Sequence, residues 1–298
     1  MKDSTTIETD QALGFAIASR SARGRLVRLG PTLDTVLSAH AYPPAIEALL
    51  AEALCLVALV GSTLKDASGQ LTMQTRSEHG VVQLLVCDYR GGEVRGYVQY
   101  DADKLAEAPE HPSLFALFGP GSLAITFDLA TTGERYQGIV PLDGETLTEA
   151  VESYFIQSEQ IPTLVRIGIR RDADGRHVAG GLFLQHLPEG EDGRERLHTR
   201  LDHPEWDHVQ ALGSTMGVDE LADAALPLET LVWRLFNEED DVRILARTAL
   251  MRGCRCTPDY IASVIAKFSP EERDEMADEN GVISVDCAFC ASKFPVFA

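Results

Sequence analysis

Four of the six cysteines in this 298-residue chain lie in two short pairs near its C-terminal end, Cys254-Arg255-Cys256 and Cys287-Ala288-Phe289-Cys290, thirty residues apart. No other feature limits the fold so sharply, because four thiolates at that spacing match the tetrahedral all-sulfur coordination that structural Zn²⁺ prefers. In an extended segment residues i and i+2 face the same way, so Cys254 and Cys256 can grip one ion together. The C-x-x-C turn then supplies the other two ligands. One zinc ion per chain in the reduced form is the expectation, with unliganded surface thiols or an iron–sulfur centre as alternatives. Four protein sulfurs leave no open position for water, so the site reads as structural at rest, and no catalytic residue is assigned.

The compartment bears on this reading, since the cytosol keeps ordinary thiols reduced and so favours metal or redox roles for clustered cysteines. The first residues, MKDSTTIETDQALGF, lack a basic region followed by a long apolar run, and a cytoplasmic location is expected. The longest apolar stretch, LLAEALCLVALV (residues 49–60), falls short of the ~20 residues of a bilayer span and carries Glu52. It reads as a helix buried on nearly all sides, with no membrane partner. A formal charge of −20, from 26 basic and 46 acidic residues, repels phosphate backbones, and no basic patch offsets it, so no nucleic-acid partner is expected. RSARGRLVR (residues 20–28) reads as a strand–turn–strand surface. Cys55 and Cys87, within apolar runs, read as buried, inert thiols.

Three regions follow from the patterning. Residues 1–188 mix strands and helices without the alternation of a doubly wound sheet, which predicts an α+β fold with a mixed-sheet core domain. Strands are predicted at 13–20, 25–29, 70–76, 81–89, 94–100, 123–129, 137–140, 164–170 and 178–187, with a hairpin turn at Gly91-Gly92. Helices are predicted at 44–64 and from Thr146, whose hydroxyl and Glu149 suit a capping box over buried Leu147, Val151, Tyr154 and Phe155. Residues 189–250 read as an acidic helical linker, with a net charge of −9 over 189–247. Its stripes are Trp206, Val209, Leu212 and Met216, then Leu228, Leu231, Val232, Leu235 and Phe236. Trp206 and Trp233 are expected to dock on the core. Residues 251–298 form the zinc-binding redox-switch domain: a helix after Thr257-Pro258 burying Tyr260, Ile261, Val264, Ile265 and Phe268, a capping box at Ser269–Glu272, and a closing hairpin.

The small last domain has few large apolar side chains for its length, so its order leans on the metal, as in other small zinc domains. Oxidation would remove the ligands by pairing them. The near neighbours are the expected partners, Cys254 with Cys256 and Cys287 with Cys290, and such small loops add little stabilisation. They cannot replace a cross-link between distant segments, so the oxidised domain is expected to melt. An i, i+2 pair also lies near the limit of the Cα separations a disulfide tolerates, which makes that bond easily reduced again.

The C-x-C, thirty-residue gap and C-x-x-C of an acidic chain of this length resemble the heat shock protein 33 family of redox-regulated chaperones. The likeness extends to GERYQGIVPLDGETLTEAVESYFIQSEQIPT (133–163), AGGLFLQHLP (179–188) and the linker helix LETLVWRLFNEE (228–239), and so spans nearly the whole chain. The resemblance implies a non-enzymatic, ATP-independent holdase that binds unfolding or aggregation-prone client proteins under oxidative stress. It also implies inhibition by zinc in the reduced state, two local disulfides on activation, and association as a homodimer. A zinc-ribbon module recruiting nucleic acid is the rival reading, but residues 254–298 carry 4 basic and 8 acidic side chains where it needs a basic face. A thiol–disulfide oxidoreductase is a third, but this C-x-x-C does not open a helix within a βαβ unit.

Overall fold

The computed structural model describes residues 9–171, 174–187 and 203–297. Two antiparallel-based sheets enclose one apolar helix. The first sheet contains β1 (Gln11–Ile17), β2 (Ala22–Leu29), β8 (Thr163–Arg171), β9 (His177–His186) and β10 (Val242–Ala249), in the order β10-β1-β2-β9-β8. The second contains β3 (Gln70–Ser77), β4 (Val82–Arg90), β5 (Glu93–Tyr100), β6 (Gly121–Leu129), β7 (Glu134–Pro141) and β11 (Met251–Arg252), in the order β11-β5-β4-β3-β6-β7. All pairings are antiparallel except that of β11 with β5, and Arg90 faces Glu93 across the predicted hairpin turn.

Between the sheets lies α2 (Pro44–Gly61), preceded by α1 (Pro31–Leu37); two short helices, α3 (Ala102–Glu107) and α4 (Leu114–Phe118), connect β5 to β6. Every residue from Ala53 to Gly61 is buried, on all sides of the helix, because strands of both sheets pack around it. An all-round apolar helix can be stable in water only in such a setting. Among the described residues α2 is the one helix long and apolar enough to span a membrane, and most of that stretch is buried inside the fold. Cys55 and Cys87 are fully enclosed here, and burial pushes both thiols up. The helix predicted from Thr146 is α5 (Leu147–Tyr154); the Thr146 hydroxyl accepts from the Glu149 N–H, but the Glu149 carboxylate accepts from Glu145 rather than closing the box.

A second core covers the other face of the first sheet. There Leu13, Phe15, Ile17, Leu26, Leu164, Leu182 and Leu184 meet α6 (Pro204–Ser214), α7 (Val218–Leu221) and α8 (Leu228–Phe236) through Trp206, Val209, Leu221, Leu231, Val232 and Phe236. This two-sided covering explains why β9, VAGGLFLQ, is apolar at consecutive rather than alternate positions. The backbone of α7 approaches closest at Gly168 and Gly180, which face each other on β8 and β9. A Cβ on either glycine would lie 1.9 Å from a backbone oxygen, of Val218 or Leu221.

Of the acidic segment, residues 189–202 lie outside the described residues; the rest differs from expectation in two respects. Residues 242–249 are strand β10, not helix: they pair with β1, a partner more than 200 residues away that no local pattern announces. Trp206 docks as expected, but Trp233 is 67% exposed, on the outer side of α8. Arg28, expected at a surface, is buried. Its guanidinium donates to the carbonyls of Leu221, Leu226 and Glu220 at the end of α7 and beyond.

Candidate metal and redox centre

The chain enters the site through the core. After β10, buried Leu250 donates its N–H to Asp10 at 2.7 Å, then Met251 and Gly253 donate to Gly92 and Val94 at 3.0 Å each, which lays β11 along β5. Cys254 follows immediately. Gly253 passes so near β5 that a Cβ there would sit 2.4 Å from that of Glu93, which accounts for the glycine beside the first cysteine. Arg255, between the first two cysteines, reaches back to Gln70 at 2.5 Å and lies 4.0 Å from Glu93.

The second pair sits in the turn between β12 (Val282–Asp286) and β13 (Lys293–Phe297), the closing hairpin. Cys287 accepts the N–H of Ala291 at 2.8 Å and of Cys290 at 3.3 Å, and Ala291 takes a left-handed φ of 54° to complete the turn. Between the pairs, α9 (Pro258–Ile265) is capped by Thr257, and α10 (Pro270–Met276) carries the full Ser269–Glu272 capping box. Of the apolar side chains expected to be buried on α9, only Ile265 is; Tyr260 and Phe268 are exposed. A two-stranded hairpin is too small to cover a whole helix face, so this region has little apolar core of its own.

All four sulfurs come together, each within 4.8 Å of every other. Cys254 lies 3.0 Å from Cys256 and 3.6 Å from Cys287, and Cys256 lies 3.3 Å from Cys290. A tetrahedral ion with sulfur ligands at ~2.3 Å needs sulfurs ~3.8 Å apart. The three close contacts are somewhat tighter than that spacing and every pair lies within 4.8 Å, so small side-chain movements would admit an ion, and soft thiolate donors suit a cation of the zinc type. The thiols of so tight a group do not titrate alike. Burial and the neighbouring sulfurs push Cys256 up, and burial pushes Cys287 up. Burial also presses on Cys290, but hydrogen bonds with Ser292 and the Cys256 and Cys254 sulfurs outweigh it and draw this thiol down to about 6. The cluster can thus hold a thiolate, the form that binds metal.

Phe289 ties the site to the core, a role the sequence reading missed. Its ring meets Tyr97 edge-on at 4.9 Å between centroids, and the Arg95 guanidinium lies 3.9 Å over its face. Arg95 is held in turn by Asp88 at 2.6 Å. An aromatic residue inside a C-x-x-C was the available signal, but which surface it meets depends on β5. His203 and His208, considered as ligands and read as surface groups, lie elsewhere: His203 caps α6, and His208 pairs with Glu239 at 2.7 Å.

Comparison with known proteins agrees with this architecture. A sequence model of the family described as Hsp33 protein matches residues 10–296. The 33 kDa chaperonin of Caulobacter vibrioides (strain NA1000 / CB15N) is 40% identical, covering 96% of this chain and 94% of its own. The 33 kDa chaperonin of Pseudomonas fluorescens (strain Pf0-1) is 34% identical over 97% and 91% of the two chains, and that of Shigella boydii serotype 4 (strain Sb227) is 32% identical over 96% and 91%. The crystal structure of the 33 kDa chaperonin (heat shock protein 33 homolog) of Thermotoga maritima shares the fold, with a TM-score of 0.75 at 21% identity over 97% of this chain and 95% of that one. With the family pattern matched from end to end and relatives named as chaperonins at 32–40% identity, the chain belongs to the Hsp33 family of chaperones.

Proposed function

We propose that this chain is a redox-regulated, ATP-independent cytoplasmic holdase, restrained while its cysteines are reduced and zinc-bound and released when they are oxidised. Cys254, Cys256, Cys287 and Cys290 are the residues that would hold the ion. Bound there, zinc supplies a cross-link between the end of β11 and the closing hairpin. We divide the chain into a core over 1–188, a linker over 189–250 and a switch domain over 251–298.

The observation that carries this reading is the short path from the cysteines to the cover of the first sheet. One residue, Gly253, separates Cys254 from β11, and one, Leu250, separates β11 from β10. Most β10 side chains are exposed, including Ile244 and Leu245, and its ladder with β1 is broken by a bulge. A segment with so little burial opens at low cost once its far end is free.

On oxidation, Cys254 pairs with Cys256 and Cys287 with Cys290. Each pair of thiols loses two protons and two electrons to one peroxide, which leaves as two waters, and the sulfurs can no longer act as thiolate ligands. The hairpin then loses its tether to β11, the switch region melts, and the loosening passes through β10 to α6–α8. Behind them lie the leucines and Phe15 of the first sheet, an apolar surface of the kind unfolding proteins bind. Two activated chains are expected to associate through surfaces exposed in this way.

The test follows bound zinc and suppression of aggregation of a heat-denatured protein together, before and after peroxide at raised temperature. The expected result is that both change in step and that thiol reductant plus zinc reverses both. Retention of zinc through oxidation, or its loss without holdase activity, would refute the switch. Mapping the disulfides by mass spectrometry tests the pairing separately, and bonds crossing between the two motifs would overturn it. That test has force because Cys254–Cys287 and Cys256–Cys290 are close contacts in the resting cluster.

A further inference from the structure

The face of the first sheet beneath α6–α8 is not merely apolar. Arg28, Arg166 and Arg170 project on the same side as Leu26, Leu164 and Leu182, Arg247 of β10 stands opposite Leu13, and Arg20 lies in the turn between β1 and β2. Among the described residues, no strand position on this side of the sheet is acidic.

Every one of these cations is met by the acidic cover. Arg20 pairs with Glu205 and, at 2.8 Å, with Glu239; Arg170 pairs with Asp223 at 3.3 Å; Arg247 pairs with Glu229. Arg28 and Arg166 donate to main-chain oxygens of the same segment, Arg166 to Met216 at 3.4 Å. Burial pulls the Arg28 guanidinium down to about 10, so it remains charged at neutral pH. From Pro204 to Phe236 the cover carries six acidic side chains and one basic one. The cover therefore offers leucines and carboxylates together to a surface of leucines and arginines, within a chain whose net charge is −20.

From this complementarity we infer that the uncovered sheet selects polypeptide segments that combine apolar with acidic side chains, and that the cover is the intramolecular form of such a segment. This rests on the holdase reading above and adds the chemistry of the partner. When the cover leaves, Arg28 and Arg166 lose their main-chain acceptors, and Arg20, Arg170 and Arg247 lose their counter-charges. An apolar segment bearing Asp or Glu can restore them; one bearing Lys meets like charge, which costs affinity and slows encounter. Selection of this kind is a difference between two affinities, built partly on repulsion.

The experiment uses the full chain, oxidised by peroxide at raised temperature, and a fluorescein-labelled peptide with the sequence of residues 226–241, LPLETLVWRLFNEEDD. A second peptide replaces its five acidic residues by lysine and keeps every apolar position. Fluorescence anisotropy is expected to show the acidic peptide binding about tenfold tighter, or about 1.4 kcal/mol. The gap should close in molar salt, where the screening length is ~3 Å. It should also close in an Arg20→Gln, Arg247→Gln variant, which removes the partners of Glu239 and Glu229 and whose far-UV circular dichroism confirms that it folds. Equal binding of the two peptides, or a preference that survives those substitutions, overturns the inference while holdase activity keeps the proposed function standing. Oxidised chain that neither binds peptide nor suppresses aggregation overturns both. Exclusion of both peptides by a stable dimer seen in sedimentation overturns the inference in favour of a second copy on this face.

Discussion

If the proposed switch operates, Gly168 is where the hold of the cover on the first sheet is most open to attack without touching a cysteine. A Cβ at this position would lie 1.9 Å from the Val218 oxygen, 2.7 Å from its carbonyl carbon and 3.1 Å from its Cα. All three are backbone atoms, so no rotamer change relieves the clash, and α7 must rise by more than about 1 Å to reach ordinary contact. Overpacking of this kind costs about 1–3 kcal/mol. That cost falls on the docked cover and hardly at all on a chain whose cover is undocked, so Gly168→Ala should raise the undocked fraction by about 5- to 150-fold. The cysteine cluster is built from other segments, so the thiols should stay reduced and metal-bound. Trp206, 3% exposed on the inner side of α6, provides the reading, and a Trp233→Phe background removes the exposed second indole. The variant's Trp206 emission should shift to the red at a lower temperature than in the parent, with four accessible thiols still titrating after metal removal. Its reduced form should suppress aggregation without peroxide. If Trp206 emission and reduced-state activity both match the parent, α7 does not restrain the face and the reasoning is wrong.

Two further outcomes test the coupling at either end. Phe289→Ala removes the ring between Arg95 and Tyr97, contacts worth about 1–2 kcal/mol together, so zinc should leave at lower peroxide doses while the melting of the core is unchanged; an unaltered peroxide dependence refutes the docking role. Hydrogen bonding to Arg20 holds the Glu239 and Glu205 carboxyls below their ordinary value of 4.5. Their folded values are the lower ones, so this attachment is complete above pH 4.5 and is lost as pH falls through the folded values. The cover should loosen over that acid range by Trp206 fluorescence, and Arg20→Gln should flatten the dependence; an identical acid profile in the variant would exclude the ion pairs as its cause.

How much of this was legible beforehand depends on the distance over which each feature is specified. The caps at Thr257 and Ser269, the all-apolar α2 and the turn at Gly91-Gly92 are written in residues a few positions apart, and they form as their spacing predicts. The stripe on α8 is equally local, and its leucines are buried as expected. For β10 the local sequence, VRILARTA, favours no single face, and only the vacant edge of β1 makes it a strand. Arg28 misleads for the same reason. An arginine in a basic run reads as solvated until the carbonyls of α7, brought from almost 200 residues away, give its guanidinium a buried set of acceptors.

By itself the sequence determined the chemistry of the centre. Four cysteines in a C-x-C and a C-x-x-C can converge on one soft cation because ligand type and short-range reach are properties of the residues and their spacing. It also determined the α+β class, since strand and helix periodicities are local. What the centre is joined to was decided by tertiary structure alone. The same four sulfurs could gather on any surface, but here the first of them follows a segment, β10 to β11, that crosses from one sheet to the other, Phe289 is seated on β5, and an acidic cover lies over an arginine-lined apolar face. Those relations join residues far apart in the chain, and such contacts depend on how sheets, helices and loops pack in three dimensions.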